Sequence, residues 1–191
     1  ARISPNGSTL LASTYLGGSA NDGLNPNNSE LVANYGDELR GDILIDPQGN
    51  VIISSVTAST DFPVRNAVEL TYQGGQTDAL VARLTSDLSE VTWATFLGGS
   101  AAGASHTVKL DSQGDVYVGG GTTSVDFPTF ASAYQPNHAG WVDGWIAKLK
   151  QDGSALEKAT FTGTVGFNQV YFIDLDQDNN VYVYGQTTGT F

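Results

Sequence analysis

Cysteine is missing from all 191 residues, and so is methionine. Without cysteine the chain has no disulfide, no thiol nucleophile and no cysteine-based zinc site. The lack of methionine gives the expectation that residues were removed ahead of Ala1. Charged residues are scarce at 15%, and only two histidines occur, His106 and His138. Long apolar runs are lacking as well. No stretch approaches the ~20 apolar residues of a membrane-crossing helix, so no membrane insertion is expected. Basic residues are few: 8 Lys and Arg stand against 20 Asp and Glu, a net charge of −12. A surface of that sign repels phosphate backbones, which argues against nucleic acid and anionic membranes as partners.

Apolar residues are plentiful, at 40%, and there are 23 glycines. That is enough buriable surface to offset the entropy of ordering the chain. The sequence also repeats itself, which is the observation that organises everything else. "DPQGNV" at 46–51 returns as "DSQGDV" at 111–116 and "DQDNNV" at 176–181, steps of 65 and 65. "TASTDFP" at 57–63 returns as "TTSVDFP" at 122–128, and "DALVARL" at 78–84 as "DGWIAKL" at 143–149. "STYLGGS" at 13–19 returns as "ATFLGGS" at 94–100 and, thinned, as "ATFTGT" at 159–164. The first of those intervals is longer, and the excess of 16 residues falls in a polar insertion at 20–38.

Each unit reads as four strands with no helix. "RGDILID" and "NVIISSVT" are β-branched and flank a short turn. Gly49, Gly114 and Asn179 hold one place in that turn, and both residue types accept positive φ. "DALVARL" supplies a third strand and "VTWATFLGG" a fourth. Four antiparallel strands per unit describe a β-propeller blade. The expected division is 1–19 as the outer strand of a preceding blade, 20–38 as the insertion, 39–103 and 104–168 as blades, and 169–191 as half a blade. Tyr15, Phe96 and Phe161 are expected to pack between neighbouring sheets, and Trp93 to join the core between blades. Two and a half blades fall short of a ring, so the chain reads as a fragment of a longer propeller.

"STYLGGS", "DPQGNV", "STDFP" and "DALVARL", in that order, resemble the SBBP family of bacterial β-propeller repeats. The resemblance covers nearly the whole chain apart from 20–38. It implies a secreted or cell-surface module inside a large multidomain protein of the Bacteroidetes type, often a type IX secretion cargo, with no catalytic residues. The partners expected of a propeller fragment are the remaining blades of the parent chain or another surface or secretion protein.

Three constellations hold candidate chemistry. Asp174, Asp176 and Asp178 alternate as in calcium loops, yet Asp176 sits where Asp46 and Asp111 are turn residues. Calcium and an ordinary turn both stay open. Trp141, Asp143 and Trp145 lie at the entry to a third strand, where exposed aromatics beside a carboxylate stack on sugars, making a glycan the ligand of an adhesive propeller. The bland alternative is that they pack a loop onto its blade. Ser105 and His106 are neighbours on a strand and point to opposite faces, which disfavours a Ser-His pair. A propeller hydrolase or lyase would draw on Asp42, Asp46, His106, Lys109, Asp111, Asp174 and Asp176, or on a Tyr/His cluster at one end of the axis. The leading expectation is a non-enzymatic scaffold whose 20–38 insertion is the contact loop.

Overall fold

Every 65-residue unit builds the same antiparallel meander. A computed structural model describes residues 1–190; Phe191, the last residue of the 169–191 segment, lies outside the described residues. The strands are β1 (Arg2–Ile3), β2 (Leu10–Ala12), β3 (Asp42–Ile45), β4 (Val51–Thr57), β5 (Asp78–Leu84) and β6 (Val91–Leu97). They continue with β7 (Gly103–Leu110), β8 (Val116–Thr122), β9 (Asp143–Leu149), β10 (Leu156–Thr162), β11 (Asn168–Leu175) and β12 (Val181–Thr187). Neighbours in sequence pair antiparallel, giving the sheet β3-β4-β5-β6, the sheet β7-β8-β9-β10 and the pair β11-β12. One 3-10 turn, Tyr35–Leu39, interrupts the all-β pattern inside the insertion. The sheets stack face to face without closing into a barrel or ring among the described residues.

The turns follow from their glycine and asparagine. Gly49 and Gly114 both have φ of 86°, and Asn179 has 62°. Ahead of each stands the aspartate of the repeat, whose carboxylate accepts backbone N–H groups two and four residues on: Gln48 and Asn50 for Asp46, Gln113 and Asp115 for Asp111, Asp178 and Asn180 for Asp176.

Stacking buries the alternate residues of the strands. Ile52, Val81, Trp93 and Leu97 on one face of the first sheet meet Val118, Trp145, Ala147, Leu149 and Phe161 on the second. Trp93 and Trp145 are fully buried there, and each side chain of that size stabilises by roughly 2–3 kcal/mol through its apolar area. Phe96 and Phe161 are buried as expected. Tyr15 is not: it is 103% exposed, against 1% for Phe96. The phrase at 13–19 forms no strand; the strand before it, Leu10–Ala12, pairs with β1. The reason is that β6 gains its pairing from β5, whereas residues 13–16 have no third strand beside them.

The Gly-Gly-Ser corner is fixed by the "STDFP" motif. Ser19 and Ser100 donate their N–H to Asp61 and Asp126 at 2.8 and 2.9 Å. Ala20 and Ala101 donate to Ser59 and Ser124, both at 2.9 Å. A Cβ on Gly18 or Gly99 would collide with the aspartate, so glycine is required where the chain crosses. The recurrent phrase is therefore a structural latch.

Candidate functional site

A cluster of buried polar groups lies where the insertion folds back on the stack. β7 and β11 each carry a β-bulge, and the extra residues are His106 and Tyr171, equivalent across the repeat. A bulge turns its extra residue out of the alternation and re-aims the side chain. Gly120 and Gly185 lie beside the two bulges, where a Cβ would run into the carbonyl of Ala104 or Gln169. In the first unit the same place is Gly41, and the chain reaches it only after the detour through residues 23–40.

The bulge residues converge with the insertion. The rings of His106 and Tyr171 meet edge to face at 5.9 Å. Tyr171 donates its hydroxyl to Asp37 Oδ1 at 2.8 Å. Arg40 Nε donates to the same carboxylate oxygen at 3.0 Å, and its guanidinium lies 3.5 Å from the centre of the Tyr171 ring. Asp37 Oδ2 accepts from the N–H groups of Ala33 and Asn34 and from Asn34 Nδ2. Gln169 Nε2 donates to the carbonyl of Leu31, and Asn34 Nδ2 to Gln186 Oε1. Leu31 is fully buried against Val56, Ala102, Ala104, Val142 and Phe167. The 20–38 insertion is thus a docked plug with a buried underside, whereas its polar composition suggests a free contact loop. Tyr35 and Leu39 remain on its outer face.

Burial sets the electrostatics. Among the described residues neither nitrogen of the buried His106 imidazole makes a well-formed hydrogen bond; burial, helped by the Arg40 charge, pushes its pKa down to about 4. Burial and the Asp37 carboxylate hold the Tyr171 phenol above its ordinary value. The Asp37 carboxyl is below the usual range, because hydrogen bonds from Tyr171, Ala33 and Arg40 outweigh its burial. The cluster consequently holds a neutral imidazole, a protonated phenol and a carboxylate–guanidinium pair at neutral pH.

The other sequence candidates are placed apart. Trp145 and Asp143 are fully buried, and only Trp141 is exposed, edge-on to Phe167 at 6.1 Å. The three do not form one surface: Trp145 is inter-sheet core, and Asp143 Oδ2 accepts the Ala139 N–H at 2.6 Å. Asp176 is held by its own turn, and Asp174 lies 3.9 Å from Lys109 Nζ. Among the described residues no three acidic or histidine side chains converge as metal ligands, Asp174, Asp176 and Asp178 included. Ser105 turns away from His106 and donates to the carbonyls of Ser55 and Leu80. His138 packs edge to face on Phe161 at 5.4 Å.

Two aspartates of the repeat serve cross-strand ion pairs. Asp46 pairs with Arg83, and Asp111 with Lys148 at 3.1 Å. Lys148 also meets Asp115 at 2.8 Å and Glu157 at 3.3 Å. From sequence these aspartates read as turn residues and their cations go unseen, although Arg83 and Lys148 share the 65-residue spacing. Tyr171, Arg40 and Asp37 escape the sequence pattern too; aligning His106 with Tyr171 at that spacing is the available signal. No family model and no curated protein matches this sequence.

Proposed function

We propose that the chain is a non-enzymatic structural and interaction module, about two and a half blades of an SBBP-type β-propeller belonging to a large exported protein at a bacterial surface. One observation carries this reading: the polar residues of the repeated motifs are spent on the stack, while both ends of the stack are open and apolar. The aspartates at 46, 61, 78, 111, 126 and 143 all bond to turns, loops or strands of the stack itself. At one end Ile43 and Ile45 are exposed beside a 560 Å³ cleft lined by Leu16, Val51, Ile53 and Leu84. At the other, Phe172, Tyr182 and Tyr184 are exposed. Such faces belong to repeat units that gain stability from neighbours. The partners are the remaining blades or another surface protein, and export by type IX secretion is part of the proposal.

A hydrolase or lyase would find its converging pair in His106 and Tyr171. Burial beneath the plug, a lowered imidazole and a raised phenol all run against proton transfer there. Of the Trp141, Asp143 and Trp145 set, Trp141 alone is exposed for a glycan to stack on. The test is intact mass with terminal peptide sequencing of the native protein, from culture supernatant and from washed cells. A much longer chain, outside the cytoplasm and with a cleaved leader, is expected. An intracellular mature chain of 191 residues would overturn the proposal.

A further inference from the structure

The pair β11-β12 presents an open strand edge beside an unfilled slot. In the stack formed by the first two sheets, Ile52, Val81 and Trp93 cluster with residues of β9 and β10, and Thr95, opposite Val81, is buried. The equivalent positions one unit on are Tyr117, Ile146, Lys158 and Thr160. They line a 370 Å³ cleft that Val181 of β12 borders. The cleft is the space that a third and a fourth strand fill in the preceding unit.

The register of that filling is repeated residue for residue. Arg83 stands opposite Ile52, and Lys148 opposite Tyr117. Asp78 stands opposite Thr57, and Asp143 opposite Thr122. Each third strand therefore carries an aspartate and, five residues on, a cation. The aspartate is buried at the strand entry and accepts a backbone N–H from the loop before it, Gln73 or Ala139. The cation reaches back to the turn aspartate, Asp46 or Asp111. On β12 the matching positions are Thr187 and Tyr182, and the matching turn aspartate is Asp176. Asp176 has no Lys or Arg partner among the described residues, and Tyr182 is exposed.

We propose that β12 is an acceptor edge for a β-hairpin of the β9–β10 pattern, supplied by a further unit of the repeat. Its first strand pairs antiparallel with β12, placing an aspartate opposite Thr187 and a Lys or Arg opposite Tyr182. That cation sits over the Tyr182 ring, as Lys148 Nζ lies 5.5 Å from the Tyr117 ring centre, and neutralises Asp176. Its second strand fills the cleft over Ile146 and Lys158. Main-chain pairing supplies affinity, and the Asp176 charge fixes register, since a slip of one residue sends the cation to the opposite face. This inference rests on the repeat-scaffold reading and adds the chemistry of the neighbour.

The test uses the whole chain and a synthetic hairpin copying residues 142–164, fluorescently labelled. Saturable binding is expected, with hydrogen-exchange protection confined to residues 181–187 and the cleft. A Lys148→Gln hairpin should bind about tenfold more weakly to the wild-type chain. Against the Asp176→Asn chain the two hairpins should bind alike, because that variant keeps the turn-bonding oxygen and loses the charge. No binding, protection elsewhere, or equal loss on both chains would overturn the proposal. So would sedimentation as a dimer with 181–187 already protected, which would make a second copy the occupant. Hairpin binding is read independently of the native protein's length and location, so a failure of the scaffold reading is recognised separately.

Discussion

His106 and Tyr171 occupy the same place in successive units, and their rings meet at 5.9 Å because each is the extra residue of a β-bulge. The insertion closes over that contact through Asp37 and Arg40. Four expected outcomes follow from this arrangement and from the stacked sheets.

His106 makes the fold acid-sensitive. Its folded pKa of about 4 lies below the ordinary 6.5, so the unfolded chain binds the extra proton between those values. Stability is fully present above pH 6.5 and falls as pH drops towards 4, by up to about 3 kcal/mol from this group. Denaturant titrations of the wild type and His106→Gln from pH 7 to 4.5 should differ by that slope, because the opposing Asp78 contribution is common to both.

Asp78 acts in the opposite sense. Burial raises its carboxyl to about 7, with Glu69 adding to the rise, and among the described residues Oδ1 has no hydrogen-bond partner. The folded state then binds more protons between pH 4 and 7, so this group costs stability as pH rises through that window. Asp78→Asn is expected to stabilise the fold at pH 8 by roughly 1–3 kcal/mol and to have little effect at pH 4. Denaturant titrations of the variant at the two pH values check this.

Tyr171→Phe removes the hydroxyl that Asp37 accepts while keeping the ring under Arg40. The expected cost is about 1–3 kcal/mol, the range for a buried group left short of a partner. Amide exchange should quicken first across residues 24–39, with the cores of β5 and β9 unchanged.

The two tryptophans bracketing Asp143 should behave unlike each other. Trp145→Ala empties a site in the inter-sheet core and should cost about 3–5 kcal/mol. Trp141→Ala, at an exposed position, should change stability by less than about 1 kcal/mol. Thermal melts of the two variants check both.

Much of the fold is legible in the sequence because it is written three times. The 65-residue step places the turns at Gly49, Gly114 and Asn179 and the third strands β5 and β9, and alternation places β3 and β4. What the sequence hides depends on neighbours or on a bulge that leaves no mark in the pattern. Tyr15 has the phrase of Phe96 but no third strand beside it. The insertion looks polar, yet Leu31 and Asp37 are buried, since its polar groups are satisfied by Tyr171, Gln169 and its own backbone. The Tyr171 bulge breaks the period-two pattern that strand reading depends on.

The most direct measurement is an electron cryomicroscopy structure of the native polypeptide that contains this chain. We expect a closed ring of about four to eight four-stranded sheets, with β12 paired on both edges and Asp176 meeting a Lys or Arg opposite Tyr182. A native molecule in which β12 remains a solvent-facing edge and the stack ends at Phe172, Tyr182 and Tyr184 would contradict it.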